Sequence, residues 1–175
     1  MKQTLHFAAA AALIFAASPA FSASAPSPTA AVAAGEPGLV GTWRLVRFEN
    51  TAKDGKVDKP YGEHPRGYFV YDPTGHLSIH IMRNPPLPPF ASGDDETATD
   101  AEKAQAYNAY VGYFGTYRVD KAKQVLHHQV EGALNTIYTD TDQLRPYRLK
   151  GDILIIELDD PDNGSHYYRE LHRVR

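Results

Sequence analysis

LVGTWRLVRFEN, residues 39–50, is the first run of the chain that reads as a β-strand, and the only tryptophan, Trp43, stands near its start, two residues after Gly41. Everything before it is of another kind. Trp43 therefore marks the point where a chain unable to pack gives way to one that can.

Upstream, SASAPSPTAAVAAGEPG (22–38) is alanine, serine and proline with almost no bulky side chain. Such a segment buries too little surface to offset the entropy of ordering it, so residues 24–38 read as a flexible leader. Before that, Met1 and Lys2 precede an apolar block from Phe7 to Ala17, followed by mostly small residues from Ser18 to Ala25. This order makes residues 1–23 a secretory signal peptide. The block of 11 residues is short of the roughly 20 that span a bilayer. Cleavage and export to the periplasm or the exterior are expected, with no stable membrane insertion.

The chain has no cysteine. It can form no disulfide and lacks the residue that a bacterial lipoprotein carries at its cleavage site. Removing Lys2 with the signal peptide takes the formal charge from −3 to −4, since no other charged residue lies there. So slight an acidity gives no electrostatic footprint for nucleic acid.

Downstream, residues 39–175 are dense in tyrosine, phenylalanine and valine and suit one domain with a real core. Eight strand-like runs recur: LVGTWRLVRFE, RGYFVYD, HLSIHIMR, GYFGTYRVD, QVLHHQVEG, QLRPYRLK, ILIIEL and HYYRELHRV. DPTG (72–75), VDKAKQ (119–124), KGD (150–152) and DDPDNG (159–164) carry turn residues between them, and such short links predict antiparallel hairpins. One short helix is expected: Thr99 and Glu102 fit a capping box, and Ala104, Tyr107 and Val111 recur at helical spacing before Gly112. A sheet of eight strands must protect its edges, and closure into a barrel does so directly. The expected fold is all-β, an eight-stranded antiparallel up-and-down barrel whose interior can hold one small ligand.

LVGTWRLVRFE resembles the Gly-x-Trp opening of lipocalins, in which the tryptophan closes the blunt end of the barrel beneath an arginine from the last strand. LHRVR supplies Arg173 or Arg175 for that position. The whole of residues 39–175 resembles the bacterial and fungal lipocalin-like domain family more closely, through PYGEHPRGYFVYDPTGHLSIHIMR, YVGYFGTYRVD, LHHQVEGALN and TDQLRPYRLKGDILII. The usual lipocalin loop signature and disulfide are absent. The resemblance implies a barrel that binds a small hydrophobic or amphipathic molecule, with no cofactor. Trp43 is then structural, its bulk plugging one end and a basic side chain stacking on its face.

Several residues invite chemistry. His76 and His80 lie roughly 13 Å apart along a strand, too far to share an ion. His127 and His128 point to opposite faces. Asp160, Asp162, Asn163 and Gly164 miss the spacing of a calcium loop. No metal is expected. Ser78, His80 and Met82 share one face of their strand and Leu77, Ile79 and Ile81 the other, and the sequence does not decide which faces the lumen. Gln143, Arg145, Tyr147 and Leu149 share a face, where a mid-strand arginine near tyrosine needs a polar partner such as Glu131. The lumen candidates are Ser78, His80, Tyr117, His128, Glu131, Arg145 and Tyr147, a set able to orient the polar end of an apolar ligand. The alternative is a satisfied core network or a solvated strand face.

NPPLPPFASGDDETAT (84–99) is long and stiff enough to serve as a lid at the barrel mouth, or as an ordinary surface crossover. No nucleophile elbow, phosphate loop or dinucleotide motif is present. The leading expectation is an exported barrel that binds a small, largely apolar ligand in its interior. The alternative is a cofactor-independent isomerase, cyclase or dehydratase acting on a polyketide-like or terpenoid-like substrate, since histidine near tyrosine and a carboxylate can move protons. A third reading is a filled barrel acting by its outer surface on another exported protein. Ligand identity and oligomeric state do not follow from the sequence.

Overall fold

The computed structural model describes residues 38–175, so the expected signal peptide (1–23) and all but the last residue of the expected leader (24–38) lie outside the described residues. Nine strands form: β1 (Gly41–Thr51), β2 (Val57–Asp58), β3 (Arg66–Tyr71), β4 (His76–Met82), β5 (Tyr110–Asp120), β6 (Val125–Ala133), β7 (Thr141–Lys150), β8 (Ile153–Asp159) and β9 (His166–Arg173). One helix, α1 (Asp100–Asn108), lies between β4 and β5. From β3 to β9 each strand pairs antiparallel with the next, β1 pairs with β3, and the β1–β9 pairing closes the ring. Eight strands make the barrel. The two-residue β2 only extends the far end of β1 beyond its pairing with β3.

Closure is possible because β1 is long and bends. It pairs with Tyr68–Tyr71 through Gly41–Arg44 on one edge and with β9 from Trp43 to Thr51 on the other, with a register shift between Leu45 and Arg47. Such a bulge sharpens the local twist. A second register shift lies between Phe114 and Gly115, opposite Val130 and Gly132. There a Cβ on Gly115 would stand 2.0 Å from the Gln129 carbonyl oxygen, so only glycine lets β5 and β6 meet.

The antiparallel order separates two ends. At one, tight turns join β3 to β4, β5 to β6 and β7 to β8; at the other lie the longer connections, 52–65, 83–109, 134–140 and 160–165. The tight end is filled. Trp43, Leu39, Tyr71, Tyr117, Leu126, Leu154 and Leu171 are fully buried there or just above it. Trp43 donates its indole N–H to the Leu39 carbonyl at 2.8 Å, and the Arg173 guanidinium lies 4.1 Å from the indole centroid. Arg173 also donates to the carbonyls of Val40 (2.8 Å) and Gly38. Arg175 instead reaches outward to Asp152.

Two expectations change. Helix α1 has the capping box of Thr99 and Glu102 but stops at Ala109. Val111 and Gly112 belong to β5, paired with Ile81 and His80, because strand pairing there outcompetes one more helical turn. No residue of α1 is buried, and Tyr107 is exposed, so the helix packs little against the barrel. The segment 84–99 folds back on α1, where Glu102 accepts from the Ala91 N–H at 2.8 Å. It does not line the interior.

Candidate functional site

Above the filled layer the barrel is hollow. A cavity of about 550 Å³ opens toward the long connections, with walls from Phe48, Phe69, Ile81, Val111, Ile156, Leu158 and Tyr167. Tyr61, from the connection after β2, and Tyr138, from the single 3₁₀ turn before β7, stand at its rim. Tyr61 packs edge-on to Phe48 with ring centroids 4.7 Å apart, and Tyr138 edge-on to Tyr113 at 6.3 Å. Aromatic walls with a few polar groups are the usual lining of a small-molecule pocket, commonly about 300–1,000 Å³.

The polar groups come from five strands: β3, β5, β6, β7 and β9. His128, on β6, is fully buried, and its two ring nitrogens meet the hydroxyls of Tyr71 (Nε2, 3.1 Å) and Tyr113 (Nδ1, 3.0 Å). Burial, with the charge of Arg145 and then His127, holds the imidazole well below its ordinary pKa. A neutral ring has one N–H and one lone pair, so His128 donates to one tyrosine and accepts from the other. Burial also raises the pKa of both phenols, that of Tyr71 strongly, and both stay protonated. Tyr113 faces the cavity, where the nearby charge of Arg145 opposes the rise in its pKa.

Two arginines enter the same space. Arg145, on β7, donates to the Leu144 carbonyl (2.9 Å) and to Gln143 Oε1 (3.1 Å). Arg169, on β9, donates to the carbonyls of Glu49 (2.8 Å) and Tyr168 (2.9 Å) and to Asn50 Oδ1 (3.0 Å), with its guanidinium over the Phe48 ring. Burial, and next the Arg145 charge, push the Arg169 pKa down to about 9, which leaves it cationic at neutral pH.

Of the lumen candidates read from the sequence, Tyr117, His128, Arg145 and Tyr147 lie on the inner face, where Tyr117, His128 and Tyr147 are buried. Tyr117 sits below the cavity and donates to the Asp72 carbonyl at 2.9 Å. Ser78, His80 and Glu131 require correction: all three point away from the lumen. Leu77, Ile79 and Ile81 take the inner face of β4, leaving Ser78 bonded to exposed His80 (2.9 Å), which meets Tyr110 (2.6 Å) on the outside. Glu131 is exposed at the β6 bulge, on the opposite parity from His128, and is not the partner of Arg145. His127, also outward, pairs with Asp142 at 2.7 Å.

Arg169, Tyr71 and Tyr113 were not among the candidates. The signal for Arg169 was present in HYYRELHRV, where it shares parity with Tyr167 and the buried Leu171, the same anomaly that singled out Arg145.

A closed barrel of eight antiparallel strands, plugged at one end by a tryptophan under an arginine and hollow at the other, defines the class of small internal-cavity barrels. The chain belongs to the lipocalin-like domain family, whose model matches residues 40–169. Among solved structures it is similar to a redesigned β-barrel, with 13% identity over 79% of this chain and 93% of that one and a TM-score of 0.40. It is also similar to a de novo designed fluorescence-activating β-barrel, with 15% identity over 77% and 93% and a TM-score of 0.37. No curated protein matches the chain.

Proposed function

We propose that this protein is an exported carrier that holds one small, largely apolar molecule inside its barrel. The observation that carries the reading is the cavity of about 550 Å³ inside the barrel, walled mainly by aromatic and aliphatic side chains and rimmed by residues of the long connections. The signal-like start of the chain supports export. Among the described residues no helix is long and apolar enough to cross a membrane.

The test is native mass spectrometry on the protein as its host produces it, followed by titration with the neutral fluorescent probe N-phenyl-1-naphthylamine. A noncovalent adduct lost on denaturation, or saturable 1:1 probe binding that Val111→Trp abolishes in a folded protein, is the expected result. A protein that is bare and binds the probe no better than Val111→Trp overturns the reading.

One observation favours a second reading. The Tyr113 hydroxyl is bonded to neutral His128 and faces the cavity that Arg145 also lines, an arrangement able to deliver a proton to a carbonyl oxygen. Cofactor-independent isomerisation, cyclisation or dehydration of a polyketide-like or terpenoid-like substrate would use it. Conversion of the molecule found in the cavity, lost in Tyr113→Phe while binding persists, is the result that would replace the carrier by an enzyme.

A further inference from the structure

We propose that the molecule held in the cavity ends in an anionic oxygen head group, gripped between Arg145 and Arg169. The proposal rests on the lumen-binding reading above and adds the charge and position of the ligand's polar end.

Both guanidiniums line one cavity whose walls are otherwise mainly aromatic and aliphatic. Among the described residues no carboxylate lies within ion-pairing distance of either. Their acceptors are neutral oxygens: main-chain carbonyls and the side-chain amides of Gln143 and Asn50. The one carboxylate at the cavity wall, Glu157, is engaged by Arg148. Five other arginines, Arg47, Arg118, Arg148, Arg173 and Arg175, have a carboxylate beside them. Arg44, Arg66 and Arg83, which have none among the described residues, do not line the cavity. What sets Arg145 and Arg169 apart is that both are unpaired by acid inside one pocket.

Two like charges drawn into a partly desolvated space repel each other and forgo hydration, and a purely apolar ligand would worsen both by displacing water. An anion between them relieves both, because the guanidinium fork matches two oxygens of a carboxylate or phosphate. Tyr113, on the same cavity wall and close enough to feel the charge of Arg145, adds a phenol. Phe48 under Arg169 holds that guanidinium's plane and thereby its donors. The apolar body of the ligand then lies along Phe69, Ile81 and Val111.

The experiment displaces N-phenyl-1-naphthylamine from the stripped protein at pH 7.5 with decanoate, decyl phosphate and 1-decanol. The chains match and only the head group differs. One charge-assisted hydrogen-bonded contact corresponds to about ten- to hundredfold in affinity, so decanoate, decyl phosphate or both should bind at least about tenfold more tightly than decanol. Arg145→Gln and Arg169→Gln should each erase about tenfold of the anion's affinity and leave decanol unchanged. The anion that gains most tells carboxylate from phosphate. Decanol binding as tightly as both anions, or variants that weaken alcohol and anion alike, overturns the head group while the lumen-binding reading stands. Failure of all three ligands and of the probe overturns both. Should either variant not fold, the wild-type comparison of head groups decides alone.

Discussion

His128 gives this barrel a built-in loss of stability below neutral pH. Its ring is fully buried between Tyr71 and Tyr113, and burial, reinforced by Arg145 and His127, keeps its pKa well below the ordinary value. The unfolded chain has no such restraint and takes up the proton near the usual pH of about 6.5. Above that pH neither state is protonated and the group contributes nothing to the pH dependence. As pH falls, the unfolded state gains a proton that the folded state refuses, so stability drops, at up to about 1.4 kcal/mol per pH unit. Between pH 7 and pH 5 the loss integrates to about 2 kcal/mol, provided the folded ring stays neutral throughout. Other titrating groups act over the same range, and comparison with His128→Gln cancels them. Glutamine keeps a donor and an acceptor near the two phenols but cannot titrate. Urea unfolding followed by Trp43 fluorescence at pH 7, 6, 5.5 and 5 measures both proteins with one probe, since Trp43 is the only tryptophan and is buried at the plugged end. The variant starts lower by about 1–3 kcal/mol, for an imperfectly satisfied pair of buried hydroxyls, and then falls less steeply than the wild type. Parallel curves would refute the reasoning, because they would mean that folded and unfolded His128 bind protons alike.

Arg173→Met should destabilise the barrel by about 1–3 kcal/mol, since it removes the stack on Trp43 and charged donors to two carbonyls; urea unfolding with a changed Trp43 emission checks it, while probe binding in the cavity at the other end should persist. Gly115→Ala should cost more than about 2 kcal/mol, because its Cβ meets backbone at 2.0 Å where nothing flexible can yield; thermal unfolding reads this, and a variant as stable as the wild type would show that the β5–β6 register can slip.

The fold was legible because period-2 patterning, turn residues and the Gly-x-Trp opening all point the same way. The helix overran in the sequence reading because Val111 continues a helical spacing as well as a strand parity, and only its pairing with Ile81 decides between them. The site was legible in part. His128 and Arg145 stand out as polar groups on apolar faces of β6 and β7. Ser78 and His80 misled because either face of β4 suits a ligand-binding barrel, and only packing reveals that Leu77, Ile79 and Ile81 are the buried set. Glu131 could have been rejected from parity alone. The rim residues Tyr61 and Tyr138 come from irregular connections, where no period predicts direction.

The position of the polar network follows from how the barrel is filled. An eight-stranded ring is just wide enough for side chains to fill it, and here large residues do so from the Trp43 end up to Tyr71, Tyr117 and Leu126. His128 and Tyr113 mark the level where filling stops. Below that level a polar group must find a partner in protein, and His128 does so through two tyrosines, with no buried side-chain polar atom left unsatisfied among the described residues. Above it, polar groups can be answered by solvent or by a ligand, and there Arg145 and Arg169 have no acidic partner among the described residues. Stability and recognition therefore draw on different layers of one barrel, joined at Tyr113, which bonds downward to His128 and faces the cavity that Arg145 also lines. Substitutions below His128 should register chiefly as lost stability, and those above it as altered ligand preference.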